Sequence, residues 1–202
     1  MKNYFVTGIG TNIGKTIVSA IITEALEADY WKPIQAGDLD YSDSLKVKNL
    51  ISNTKSKIHP EAYRLNQPMS PHATAKLDNV IIDLEKIELP KTTNHLIIEG
   101  AGGLMVPLND NELIIDLIKK LDVEVILVSQ NYLGSINHTL LSLEVLKSKN
   151  LNLLGIIFNG TENTETEQFI LNYSGAKCLG RIDEHQYITQ EVVLSYKNKF
   201  NF

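Results

Sequence analysis

Gly8-Ile9-Gly10-Thr11-Asn12-Ile13-Gly14-Lys15-Thr16 lies between a short apolar run, Tyr4-Phe5-Val6, and a helical pattern, Ile17 to Leu26. A strand, a glycine-rich turn and a helix start are the parts of a phosphate-binding loop. Backbone N–H groups in such a turn converge on phosphate oxygens, and the helix N-terminus adds a favourable field. Lys15 is placed to neutralise β and γ phosphates, and the Thr16 hydroxyl to hold Mg²⁺. The stretch therefore predicts binding of a nucleoside triphosphate. One departure stands out: five residues separate Gly8 from Gly14, where the common pattern has four.

Working outward, six segments carry strand signals: Tyr4–Thr7, Asp29–Lys32, Leu96–Glu99, Val123–Ser129, Leu153–Phe158 and, most weakly, Lys177–Gly180. Continuous apolar runs of this kind suit strands buried on both faces of a parallel sheet. Helical patterns fill the gaps at Thr16–Ala28, Ser42–Ser52, Pro71–Leu77, Glu112–Leu121, Ser135–Lys149 and Glu165–Tyr173. The alternation predicts a three-layer α/β fold of the P-loop NTPase type, a mostly parallel central sheet flanked by helices. No linker, repeat or low-complexity segment divides residues 1–202, so one ATP-binding domain is expected. The polar stretch Asn53 to Pro71 is long for a connection, which points to a function of its own.

The bulk composition narrows the class. The chain has 202 residues, 43% hydrophobic and 21% charged, with a net charge of −5. The absence of a basic run argues against nucleic acid or an acidic membrane as partner. Cys178 is the only cysteine, so no internal disulfide forms. The N-terminal residues lack the apolar segment of a signal peptide or membrane span. The cytoplasm is the expected location.

Ligands of open α/β sheets sit beyond the carboxyl ends of the strands, and several polar residues fall there. Glu99 ends the third run, ahead of Gly100-Ala101-Gly102-Gly103. It reads as a carboxylate meeting Mg²⁺, or as a solvent-facing edge residue. Lys32 reads either as a cation reaching a phosphate or carboxylate, or as a surface lysine. Among Asp38, Asp40 and Asp43, one serves the metal or all are caps. His138 reads as a base or as a packed or capping histidine. Asn159-Gly160 reads as a base-edge reader or a plain turn. No Cys/His cluster has zinc spacing, and no Gly-x-Ser-x-Gly elbow occurs.

Taken in order, these segments resemble the dethiobiotin synthetase family. The resemblance spans about residues 2 to 183. It is carried by Tyr4-Phe5-Val6-Thr7-Gly8, by Gly14-Lys15-Thr16 after the same five-residue gap, and by Lys32-Pro33-Ile34-Gln35-Ala36-Gly37. Ser42-Asp43, Ser70-Pro71-His72, Glu99-Gly100-Ala101-Gly102-Gly103, Gly134-Ser135-Ile136-Asn137-His138, Asn159 and Leu179-Gly180 continue it.

The resemblance implies a reaction. Carbon dioxide adds to one amine of 7,8-diaminopelargonic acid to give a carbamate. The carbamate oxygen attacks the γ-phosphoryl of ATP and forms a carbamic–phosphoric anhydride. The second amine closes the ureido ring, giving dethiobiotin, ADP and phosphate. It also implies roles. Lys15, Lys32 and Thr11 are catalytic. Asn12, Ile13, Gly14, Lys15, Thr16, Ile17 and Asn159 bind the nucleotide, Asn159 at the adenine. Thr16, Asp43 and Glu99 hold Mg²⁺. Thr11, Lys32, Ala36, Gly102, Gly103, Ser135 and Asn137 bind the diamine substrate, and the loop after Gly134 does so across the interface of a homodimer. Asn12 stands where a relative has Glu, Ala36 where some have Ser or Thr, and Arg181-Ile182-Asp183 replaces a proline-bearing turn. The alternative is a dimeric ParA/MinD-like partitioning or positioning ATPase, which shares the fold. Those proteins usually carry a further lysine near the start of the loop, and this loop has none before Lys15.

Overall fold

The computed structural model describes all 202 residues, Met1–Phe202. Nine strands form: β1 (Asn3–Gly8), β2 (Asp29–Trp31), β3 (Ile34–Ala36), β4 (Ile58–His59), β5 (Tyr63–Leu65), β6 (Leu96–Gly103), β7 (Glu124–Gln130), β8 (Leu153–Asn159) and β9 (Cys178–Ile182). Seven helices alternate with them: α1 (Lys15–Leu26), α2 (Asp43–Leu50), α3 (Pro71–Leu77), α4 (Ile114–Leu121), α5 (Ser135–Ser148), α6 (Thr164–Ser174) and α7 (Gln190–Ser195). The main sheet has the order β4-β2-β6-β1-β7-β8-β9, and every pair in it is parallel.

Alternation along the strands builds two cores at once. On β1, Phe5 joins one cluster with Trp31, Leu96, Ile98 and Val125. Its neighbours Tyr4 and Val6 join the other, with Tyr30, Ile97, Ile126 and Val128. Helix α1 covers the second face through Val18, Ile21 and Ile22, while Ile114, Leu117 and Ile118 of α4 cover the first. Each such aliphatic side chain contributes roughly 1.5–3 kcal/mol by leaving water. Burial on both faces explains why the strands read as continuous apolar runs rather than as alternating ones.

Two features differ from the expectation. The stretch Asn53 to Pro71 is not a loop: it supplies β4, the sheet's edge strand, and β5, which pairs with β3 in a separate two-stranded sheet. β6 does not stop at Gly100 but runs on to Gly103, because Gly103 pairs with Gly8 of β1 past a register shift. The last residues form α7 and a return that docks on the body. There Val193 and Tyr196 are buried, and the Asn201 N–H donates to the Leu179 carbonyl at 2.9 Å.

β1 occupies the middle of the sheet, with β6 on one side and β7 on the other. The connection from β1 runs to β2 on one side and that from β6 crosses to β7 on the other, so a crevice opens at the carboxyl end of β1. The phosphate-type loop follows β1 into that crevice.

Candidate active site

The loop's shape follows from its glycines. Gly14 has φ 89°, and a Cβ there would come within 2.2 Å of the Asn159 amide nitrogen. Only glycine combines that left-handed backbone with so close an approach. The same Asn159 amide donates to the Ile13 carbonyl at 3.0 Å, so the end of β8 is tied to the loop. Gly14 is also the N-cap of α1 and offers no side-chain cap. The first-turn N–H groups therefore face the crevice, an arrangement that receives anions. Ile13 is buried and Ile17 half-buried against the core. Both anchor the loop through their side chains and leave their backbones to the crevice. Thr11 and Asn12 are exposed at the loop's crest, and Asn12 has φ 59°.

Below the loop lies a polar cluster built by two strands, β2 and β6, and by the starts of two helices, α1 and α2. The Lys32 ammonium, just past β2, is 2.9 Å from Glu99 Oε1, 2.8 Å from Asp43 Oδ2 and 3.0 Å from the Gly100 carbonyl. Thr16 Oγ1 donates to Glu99 Oε1 at 2.9 Å. The Tyr30 hydroxyl donates to Glu99 Oε2 at 2.8 Å. Lys15 bends back so that its ammonium donates to the Gly10 carbonyl at 2.7 Å. Lys15 is 7% exposed, Lys32 4% and Glu99 1%. Glu99 is thus no edge residue and Lys32 no surface lysine. Charges buried this deeply require partners, and here they have one another.

Asp43 is the first residue of α2, whose N-cap is Ser42. Its N–H donates to Gln35 Oε1 at 3.2 Å, and Gln35 in turn donates to the Gly37 carbonyl at 2.9 Å. Gln35 on β3 therefore orients Asp43 toward Lys32. Asp38 and Asp40 are exposed and stand apart from the cluster, which singles out Asp43 among the three.

The electrostatics follow from burial and proximity. Burial lowers the Lys15 ammonium to about 8, with the Lys32 charge adding to the effect. Burial also pulls on Lys32, but Glu99 and Asp43 outweigh it and hold that ammonium above its usual range. The Asp43 carboxyl feels burial in the opposite sense, and the Lys32 charge overrides it, so its pKa lies below the usual value. Burial, then the Glu99 charge, pushes the Tyr30 phenol well above its ordinary value. It remains a hydrogen-bond donor at any working pH.

Two carboxylates and one hydroxyl face the phosphate-type loop, without a third acidic or imidazole side chain. That donor set fits a hard cation such as Mg²⁺, which keeps water ligands and takes others from phosphates.

The remaining predicted residues divide between two places. Gly102 and Gly103 end β6 beside the loop. A Cβ on Gly103 would stand 3.1 Å from the Gly8 carbonyl, and one on Gly102 3.7 Å from Thr11 Oγ1. Ala36 ends β3 and packs half-buried against the core. Ser135 and Asn137 open α5 and line a groove of about 810 Å³ with Asn131, Leu133, Asn163 and Thr166. A second hollow of about 540 Å³ joins Thr11 and Asn12 to Gln130, Tyr132 and His138. His138 is exposed, and its Nδ1 lies 2.8 Å from the Tyr132 hydroxyl. Its ring rests beside that of Tyr132, centroids 5.8 Å apart, and it does not cap α5. Arg181 donates to the Gly160 carbonyl at 2.8 Å and pairs with Glu167 at 3.0 Å. The turn after β9 is thereby pinned beside Asn159.

Sequence reasoning passed over Tyr30 and Gln35. The signal for Tyr30 was present: it stands two residues before Lys32, and its register partner Ile97 stands two before Glu99. Tyr30 and Glu99 therefore face the same side of the sheet on adjacent strands.

Comparison with known proteins agrees with this architecture. A family model described as an AAA domain matches residues 2–192. An ATP-dependent dethiobiotin synthetase of Christiangramia forsetii is 57% identical over 98% of this chain and 96% of its own length. One from Cytophaga hutchinsonii is 54% identical over 98% and 97%, and one from Chlamydia pneumoniae 44% identical over 99% and 90%. Among solved structures, a ParA family ATPase from Chlorobium tepidum aligns with TM-score 0.59 over 97% of each chain at 14% identity. The septum site-determining protein MinD of Pyrococcus horikoshii, complexed with Mg-ADP, aligns with TM-score 0.61 over 96% of this chain and 85% of its own at 17% identity. The ParA and MinD likeness is one of fold alone. With a phosphate loop, two buried lysines and two carboxylates gathered at the strand ends, and with identity this high over nearly its whole length, the chain belongs to the ATP-dependent dethiobiotin synthetase family.

Proposed function

We propose that the chain carries out ATP-dependent carboxylation and ring closure of 7,8-diaminopelargonate, giving dethiobiotin, ADP and phosphate. One observation carries the reading: Lys15 and Lys32 enter a single crevice together with Thr16, Asp43 and Glu99. The reaction brings a carbamate anion onto a triphosphate, so like charges must approach. Two buried ammonium groups beside a phosphate-binding loop lower that cost, and more so with water excluded.

In this reading Lys15 leaves the Gly10 carbonyl for the γ-phosphoryl oxygens. Lys32 holds the carbamate while the carbamate oxygen attacks phosphorus and the β–γ bridge oxygen departs with ADP. The second amine then attacks the carbonyl carbon, its proton is lost, and the C–O bond to phosphate breaks. Thr16, Asp43 and Glu99 would hold Mg²⁺, whose charge would neutralise that of the phosphates. Thr11, Gly102 and Gly103 border the reacting centre, and Asn12, Ile13, Gly14 and Ile17 present backbone to the phosphates. Asn159 reads the adenine edge.

The groove at Ser135 and Asn137 takes the substrate's carboxylate tail, and we place a second copy of the chain against it. Leu133, fully exposed at the groove's rim, and the half-exposed Tyr132 suit such an interface.

The test is Lys32→Ala. Turnover falls by about 10²–10³-fold, while the affinity for ATP changes by less than about tenfold. Undiminished turnover removes Lys32 from the chemistry.

A further inference from the structure

The buried carboxylates of this protein are not all held alike. Glu24 has both oxygens occupied by Ser52 and Asn53. Asp29 has both occupied by Lys57, Asn94, His59 and Thr92. Each is a brace whose partners all lie outside the phosphate-type loop and its cluster. Glu99 is divided differently. Its Oε2 receives only the Tyr30 hydroxyl. Its Oε1 faces Thr16 and the Lys32 ammonium, the groups that border the phosphate-type loop.

We propose that Tyr30 is a positioning residue that makes Glu99 a one-oxygen ligand, and so sets the site's preference for a small six-coordinate cation such as Mg²⁺ over Ca²⁺. The inference rests on the reading of Glu99 as a metal ligand given above. A carboxylate free to turn offers both oxygens, and Ca²⁺, with six to eight ligands and flexible geometry, accepts them together. Mg²⁺ demands near-octahedral geometry and takes one oxygen per carboxylate. Engaging Oε2 with a phenol that is itself fully buried blocks the two-oxygen mode. The phenol cannot swing aside, because Tyr30 lies inside the core cluster with Val47, Ile97 and Ile21. Outer-shell partners of this kind orient the donor and tune the metal without touching it.

The experiment compares the intact protein with Tyr30→Phe, which removes one oxygen and keeps the ring. Mg²⁺ and Ca²⁺ are titrated separately by calorimetry into each protein saturated with ADP. The variant binds Mg²⁺ about tenfold more weakly, and its preference for Mg²⁺ over Ca²⁺ narrows. An unchanged Mg²⁺/Ca²⁺ ratio overturns the proposal and leaves Glu99 as a ligand. No Mg²⁺ binding to the ADP complex of the intact protein overturns both. A second measurement needs no Tyr30 variant. The Mg²⁺-induced infrared carboxylate bands that vanish in Glu99→Gln show the wide splitting of a one-oxygen ligand. The narrow splitting of a two-oxygen ligand overturns the proposal.

Discussion

At the residue scale the proposed chemistry turns on two lysines with opposite surroundings. Lys32 touches two carboxylates and keeps its proton. Lys15 is buried with only a carbonyl for partner, and burial lowers it to about 8. Phosphate binding requires the charged form. Below about pH 8 the ammonium is already protonated and ATP affinity is insensitive to Lys15. Above it, binding must take up a proton, so affinity weakens by up to about tenfold per pH unit until the bound-state value is reached. Calorimetric titration of ATP between pH 7 and pH 9.5, in buffers of differing ionisation enthalpy, reads both the slope and the proton uptake. A flat profile without proton uptake rejects this account of Lys15. The same residues show what a sequence conceals. Lys15 and Thr16 announce themselves by spacing. Lys32 reads equally well as a surface lysine until β2 is known to lie beside β6. Tyr30 reads as core filler, since an apolar strand has use for a large ring whether or not its hydroxyl has work.

At the element scale, long apolar runs were legible because burial on both faces leaves them no polar positions. β1, β6, β7 and β8 fall within a few residues of their expected bounds. β3, β4 and β5 were hidden for the converse reason. They are two or three residues long, too short for a period to register, and they carry Gln35, His59 and Arg64. The tail was hidden by its six-residue helix α7, whose hydrophobic residues show no pattern apart from the surface that receives them. Tyr196 holds that tail. It is 1% exposed, and its hydroxyl accepts from the Asp183 N–H at 3.0 Å and meets His185 at 2.8 Å. Its ring packs beside Phe200. Tyr196→Ala costs about 3–5 kcal/mol, which thermal unfolding registers as a drop of about 10 °C in Tm for a chain of this size. A Tm within about 1 °C of the parent shows that the tail contributes nothing to stability.

At the scale of the whole molecule, the sheet order places β1 and β6 side by side, and that adjacency makes the site. Residues from opposite ends of the chain meet there: Lys15 and Thr16 early, Glu99 midway, Asn159 late. The proposed pairing of two copies adds the groove at Ser135 and Asn137. The proposal predicts that sedimentation at micromolar concentration will show a dimer for the parent chain and a monomer for Leu133→Asp, because a charge buried at an apolar interface is strongly unfavourable. A parent chain that sediments as a monomer removes the shared groove from the account. The reaction as a whole has a sharper signature. If the carbamate oxygen attacks phosphorus and the C–O bond later breaks, that oxygen leaves with phosphate. Diaminopelargonate, Mg-ATP and freshly added ¹⁸O-bicarbonate are mixed with the protein, and the released phosphate is analysed by mass. The account predicts phosphate release that depends on the diamine, with one heavy oxygen carried into each phosphate. Release without the diamine, or phosphate bearing no heavy oxygen, contradicts it.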